Sequence, residues 1–305
     1  MIRKILKFEL KARFTQPLPI IYFLMLVFQG IWYTQGSYKY YVNDATLMNG
    51  TAILYKTLAG GGMLLCIILA LITGTVLYKD IQHKTSGIIY ATPVDQKRFF
   101  LGRFISAYLI NLILASGIMV GLALAPYSGI GTPDKFGPTP WAQMFHGFFT
   151  LTAVNILMLT MVCFSAIVFF RKMAAGYISN FLVVIFFIVG ESTKETASNR
   201  LAYELIDPFT YVYTGHQMDD LPATNKNTAF LGFTTTFFLN RLIWIGGAFI
   251  LFFLAYRKFS FKHFIASPAK RAKTITEIVK PMQFKNIKDH KDVLDLSSLE
   301  YMRKF

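Results

Sequence analysis

Six long apolar runs dictate what this chain can fold into. They lie near 17–34, 60–77, 105–125, 145–170, 173–190 and 229–256. Each approaches the roughly 20 residues that a helix needs to cross the hydrocarbon core of a bilayer. A soluble domain carries about a quarter of its residues as charges; here 15% are charged and 54% hydrophobic. The runs therefore predict an all-α membrane protein with six transmembrane helices. The first run starts late, is followed by bulky aromatics and lacks a small-residue cleavage site, which excludes a signal peptide. Cys66 and Cys163 both lie inside apolar runs, where a thiol behaves as a small hydrophobe.

A formal charge of +15 invites a nucleic-acid reading, but its placement argues for topology instead. Arg3, Lys4, Lys7, Lys11 and Arg13 precede the first run. Lys79, Lys84, Lys97, Arg98 and Arg103 lie between the second and third, Arg171 and Lys172 separate the fourth from the fifth, and the chain after Tyr256 is rich in lysine. The alternate connections carry fewer cations: Lys39 and Lys56 in one, Lys135 in the next, and Lys194, Arg200 and Lys226 among acids in the last. Lysine and arginine in short loops mark the cytoplasmic side, so both termini are expected there. No nucleic-acid partner is expected.

Three regions follow: 1–15, 16–257 and a basic cytoplasmic tail, 258–305. In "MIRKILKFELKARFTQP", Ile2, Ile5, Phe8 and Ala12 share one side of a helical wheel and Arg3, Lys4, Lys7 and Lys11 the other, while Glu9 and Arg13 spoil the apolar side. This reads as an amphipathic helix lying under anionic lipid headgroups, with a solvated basic leader as the plainer alternative. The tail contains nothing large enough to have its own core; it is read as an extension touching acidic lipid or a partner.

The segment 78–104, "YKDIQHKTSGIIYATPVDQKRFFLGRF", is the most articulate of the connections. Thr85 or Ser86 can cap a short helix through Gly87, Ile88, Ile89 and Tyr90, and Pro93 ends it. Asp95 is placed to cap a second helix that climbs into the third run. Burying each of Ile88, Ile89 and Tyr90 is worth roughly 1.5–3 kcal/mol. Either the loop folds back on itself or another protein receives the cluster.

Asp, Glu and Lys are nearly missing from the runs, leaving Asn111, Asn155 and Asn180 as notable polar side chains, expected to join helices. Arg241 lies about 16 residues, roughly 24 Å, up the last helix from Arg257. It either snorkels outward or pairs with Asp207 or Glu204 and clamps the last span to an outer cap. The connection 191–228 is long; its Phe209, Tyr211, Val212 and Tyr213 suit a membrane surface better than water.

Chemistry of its own is not expected. No phosphate-binding glycine loop with its lysine occurs, and the "AGGGM" at 59–63 reads as close helix packing. His83, His146, His216, His263 and His290 form no ligand pair along a helix. No catalytic residue, metal site or cofactor in this chain is expected.

Together, "YKDIQHKTSGIIYATPVDQKRFFLGRF", "FELKARFTQPLPIIYFL", "LIDPFTYVYTG" and "NRLIWIG" resemble the permeases of type-2 ABC exporters. They are similar to the N-terminal six-span module of large Bacteroidota-type permeases, which are often fused to a zinc aminopeptidase. The likeness covers most of Met1 to about Phe264. It implies that Gly87, Ile88, Ile89 and Tyr90, with Pro93, form a coupling helix seated in a nucleotide-binding ATPase subunit. Asp80 and Lys84 would flank that helix, and Gly102 and Arg103 would open the third span. The approach to the glycine, His83-Lys84-Thr85-Ser86, is less acidic than the family's pattern. Short helices dipping into the outer leaflet would precede the last span, with Asp207 and Pro208 turning the chain and Asn240 and Arg241 on the span itself. ATP and Mg would be bound by the partner ATPase, and the chain would pair with a copy of itself or a second permease half in a bacterial cytoplasmic membrane. In the larger relatives the tail leads into a second half, so the chain is readable as one part of a longer protein. A scaffold that anchors a peptidase or assembly without transport is the alternative; an intramembrane enzyme ranks last.

Overall fold

A computed structural model describes residues 2–38, 46–82, 94–193 and 200–261. They are helical and contain no strand among the described residues. The elements are α1 (Ile2–Phe14), α2 (Pro17–Tyr38), α3 (Thr51–Gly60), α4 (Gly62–Gln82), α5 (Gln96–Leu124), α6 (Trp141–Gly147), α7 (Ala153–Phe170), α8 (Met173–Thr193), α9 (Arg200–Ile206), α10 (Tyr211–Asp219) and α11 (Thr235–Lys258). A single π-turn, Phe148–Thr152, joins α6 to α7.

Five helical stretches are long and apolar enough to cross a membrane: in α2, in α5, in the α6–α7 pair, in α8 and in α11. Their outward residues are large and apolar, including Leu24 and Phe28 on α2, Phe181 and Phe186 on α8, and Leu242 and Ile250 on α11. Such a surface suits lipid rather than water. This is a helical membrane protein.

The second expected run takes a different form. It begins earlier, with α3, and breaks at Gly60–Gly61, so that Thr51–Gly60 and Leu65–Tyr78 qualify only as a pair bent by 42°. Lys56 disguised α3 as a connection, yet its ammonium lies 3.3 Å from Asp219 while nearly all of α3 is buried. The close-packing reading of the glycines holds at the break itself. A methyl on Gly60 would meet the Tyr211 ring at 2.9 Å, and one on Gly61 would meet Ile118 at 2.8 Å. The last span starts at Thr235 rather than near Ala229, because 229–234 runs without helix.

α5 is the central element. At 29 residues it extends about 43 Å, longer than the roughly 30 Å hydrocarbon core. Its crossing with α2 is backbone to backbone. A methyl on Gly121 would fall 2.1 Å from the Val27 carbonyl oxygen, and one on Gly117 would fall 2.8 Å from that of Phe23. Gly117 and Gly121 thus form the small-xxx-small seam that lets membrane helices approach closely. Deeper in the bundle, Asn111 donates to the Thr73 and Thr160 hydroxyls at 3.1 and 3.3 Å, tying α4, α5 and α7. Asn180 donates to the Cys66 carbonyl at 3.3 Å, tying α8 to α4. These asparagines join helices, as expected of them.

The connections gather at two ends. At one lie α1, the ends of α4, α7 and α11 and the start of α5, with Lys97, Arg103, Arg171, Arg257 and Lys258; Tyr78 there donates to the Arg171 carbonyl at 3.3 Å. At the other, Leu47 donates to Asn227 Oδ1, Met48 to the Lys135 carbonyl and Asn49 to the Gly137 carbonyl. The basic connections singled out by charge therefore share one end of the bundle.

Candidate functional site at the basic end of the bundle

Val94–Phe104 carries the return from the polar segment into α5. Asp95 caps the helix: its carboxylate accepts from the backbone amides of Lys97 at 2.8 Å and Arg98 at 3.0 Å. The Arg98 amide, ahead of the Lys97 amide, holds that carboxyl below its usual pKa. Local spacing alone predicted this cap.

Beyond the cap, each turn of α5 grips a different neighbour. Lys97 Nζ reaches the carbonyls that end α11, donating to Arg257 at 3.0 Å, to Phe259 at 3.2 Å and also to Tyr256. A cation at these orphan carbonyls opposes the negative end of the helix dipole. Gln96 Oε1 accepts from the Phe261 amide at 3.1 Å. Phe100 sits among Phe164, Phe252 and Phe259 at centroid distances of 5.0 to 5.3 Å, and Phe104 lies 4.2 Å from Phe252. These rings join α5 to α7 and α11.

Gly102 and Arg103 hold α1. A methyl on Gly102 would meet Ile5 at 3.0 Å, so the missing side chain is what seats α1 there. Arg103 is buried and ion-paired with Glu9 of α1; it also donates to the Val76 carbonyl of α4 at 3.2 Å and lies 4.9 Å from the Phe99 ring. Arg103, which the resemblance places at the opening of the third span and counts among the coupling residues, lies on the second turn of α5 and is 3% exposed. Glu9, expected to spoil the apolar side of α1, is the most deeply buried residue on that helix, and Phe8, expected to share that apolar side, is 63% exposed. A carboxylate tolerates such burial because it is paired with a guanidinium.

Of the other residues assigned to the coupling segment, Asp80 falls on the last turns of α4. Lys84, Gly87, Ile88, Ile89, Tyr90 and Pro93 lie outside the described residues.

The opposite end holds the second set of residues singled out by sequence. Asp207, Pro208, Asn240 and Arg241 are all buried. The Asp207 carboxylate accepts from the Phe209 amide at 2.9 Å and the Val212 amide at 2.8 Å, steadying the start of α10. Burial pushes this carboxyl up to about 6, against the pull of those amides and of Arg241. Arg241 does not snorkel. It donates to Asn155 Oδ1 and to the Thr210 hydroxyl, both at 2.8 Å. The clamp therefore runs through Asn155 and Thr210, with no direct ion pair to Asp207 or Glu204.

Asn240 adds bonds to the carbonyls of Glu204 at 2.6 Å and Asp207 at 2.7 Å, and Trp244 adds one to Leu205 at 2.9 Å. Glu204 binds Arg200 at 3.0 Å and His216 at 2.8 Å. Burial would raise its pKa, but the hydrogen bonds from His216 and Arg200 carry it below the ordinary value. Phe209 and Tyr213 point into the core rather than toward the membrane surface.

Two participants escaped the sequence reading as partners: Asn155, noted only as a polar residue, and Thr210, which takes a left-handed backbone at φ 58°. The spacing of Glu9 four residues after Ile5 and four before Arg13 was a signal that Glu9 belongs to the docked face.

Among the described residues no group of three His, Cys, Asp or Glu side chains is placed to hold a metal ion. An apolar groove of about 450 Å³ opens between α4 and α8, lined by Cys66, Ile67, Tyr177, Ile178 and Phe181. No protein-family model matches the chain, and a search of curated proteins finds no significant match.

Proposed function

We propose that this chain is the six-span permease half of an ABC exporter, with the bent α3–α4 pair as one span and both termini cytoplasmic. It resides in a bacterial cytoplasmic membrane, pairs with a second copy or a second permease half, and engages nucleotide-binding subunits through Gly87–Pro93. Those subunits bind ATP and Mg; this chain supplies none of that chemistry. The observation that carries the reading is the junction at the base of α5. The segment at 83–93 enters directly on residues that grip α1, α4, α7 and α11 at once, so a push at that point is delivered to four helices together. A simple anchor has no need of such a distribution point. The scarcity of charge in the spans and the apolar lining of the α4–α8 groove favour an amphipathic or lipid-like cargo.

The test is co-purification in mild detergent followed by reconstitution. An ATPase subunit is expected to accompany the chain and to be lost on combined Ile88→Asp and Ile89→Asp substitution. ATPase retention by that variant sinks the coupling assignment. An ATPase that binds but supports no vanadate-sensitive movement of amphipathic probes identifies a scaffold instead.

A further inference from the structure

The face that α1 turns away from the protein is the basic one. Ile5 and Glu9 are fastened to Gly102 and Arg103. On the opposite side Arg3, Lys4, Lys7 and Lys11 are all exposed. Phe8 at 63% exposure borders this stripe on one edge, and Phe14 at 39% lies within it at the C-terminal end of α1. No ion pair holds any of these four cations among the described residues.

The position of the stripe is fixed by the chain. Only Thr15 and Gln16 separate α1 from α2, and the first turns of α2 expose Leu18, Ile20 and Ile21. Helix α1 therefore lies at the level where lipid headgroups meet acyl chains.

We propose that this stripe binds the headgroups of anionic phospholipids, and that the docked face relays the occupancy to the base of α5. Four cations with exposed aromatic rings among them match a negatively charged headgroup layer, where cations pair with phosphate and rings settle at the interface. An acidic protein surface would satisfy the charges but not the exposed Leu18, Ile20 and Ile21 that open α2 beside them. Because Glu9 is held by Arg103 and Ile5 is seated on Gly102, pulling α1 toward the membrane tensions the same turn of α5 that follows the 83–93 segment. This rests on the membrane reading and is independent of transport.

The experiment uses the full chain carrying Phe8→Trp in nanodiscs of equal parts phosphatidylglycerol and phosphatidylcholine. One lipid at a time carries bromine, and the signal of the unsubstituted chain is subtracted. Brominated phosphatidylglycerol is expected to quench the introduced indole about threefold more than brominated phosphatidylcholine, since each basic residue near such a surface attracts anionic lipid. The ratio should fall to unity with Arg3, Lys4, Lys7 and Lys11 all changed to Gln. It should also fall in 0.5 M salt, which screens the attraction without any substitution.

Hydrogen exchange over 94–104 is the second readout. It should slow several-fold when phosphatidylglycerol replaces phosphatidylcholine, and Glu9→Gln should abolish that slowing while leaving the quenching ratio intact. A ratio of unity in the chain with all four cations overturns lipid binding, the result an acidic protein partner would give. A high ratio with unchanged exchange overturns the relay. Neither result bears on ATPase co-purification, which tests the exporter reading separately.

Discussion

The two ends of the bundle solve the same problem by different means. At the basic end, α5 is joined to its neighbours by a cluster of phenylalanines with one buried ion pair and one lysine cap. At the opposite end, α9 and α10 are joined to α7 and α11 mainly by hydrogen bonds from Arg241, Asn240 and Trp244, while the Asp207 carboxylate accepts from the amides at the start of α10. Aromatic packing is non-directional and can be re-formed after a small displacement, each pair contributing roughly 0.5–1.5 kcal/mol beyond burial. A buried hydrogen-bond network has one good geometry, and a missing member leaves its partners unsatisfied. On this contrast the aromatic part of the basic end tolerates a small displacement better than the network at the opposite end does.

Arg241→Met is the strongest way to break this contrast. It strips Asn155 and Thr210 of their donor and removes the cation nearest Asp207. A hydrogen bond to a charged group is worth about 1.5–3 kcal/mol, and two are lost together. Thermal unfolding should drop accordingly, with proteolysis appearing first within 200–234. A loss as small as that of a surface substitution would show that the cap is held by packing after all.

Glu9→Gln comes next. Arg103 then faces a neutral amide, a loss of about 1–3 kcal/mol. Pairing Glu9→Leu with Arg103→Leu should recover much of what Arg103→Leu alone loses, because removing both charges avoids a lone buried ion. A double-mutant cycle on unfolding midpoints measures the coupling. Simple additivity would remove the ion pair from the account of how α1 is attached.

Phe100→Leu should be milder, about 1 kcal/mol, since the surrounding rings can close over a slightly smaller side chain. A larger loss than that of Arg241→Met would reverse the contrast between the ends.

The smallest effect concerns acidity. The Glu204 carboxyl is held below its ordinary pKa, so its stabilisation is complete above the unfolded value of about 4.3. It is lost as pH falls through the folded value. The stability difference between the unsubstituted chain and Glu204→Gln should therefore shrink as pH falls from about 5 through the carboxylate range. Asp207 is present in both and cancels. A difference that grows as pH falls below about 5 would contradict the assigned direction.

How much of this was legible followed from range along the chain. The apolar runs and the Asp95 cap depend on neighbours within a few turns, and both were readable. The partner of Arg103 lies 94 residues away and that of Arg241 lies 86 away, distances at which a single sequence holds no record of pairing. The broken second span was hidden because Lys56 looks like a loop residue until Asp219 is beside it. Gly117-x-x-x-Gly121 was present as a pattern, but only the approach of Val27 and Gly30 gives it a meaning.

That glycine seam has a consequence for any passage across the membrane. With the Val27 carbonyl against the Gly121 backbone, no acyl tail and no side chain fits between α2 and α5 without prising the main chains apart. The two helices form one board, and on the exporter reading proposed above a route for cargo has to open along some other edge.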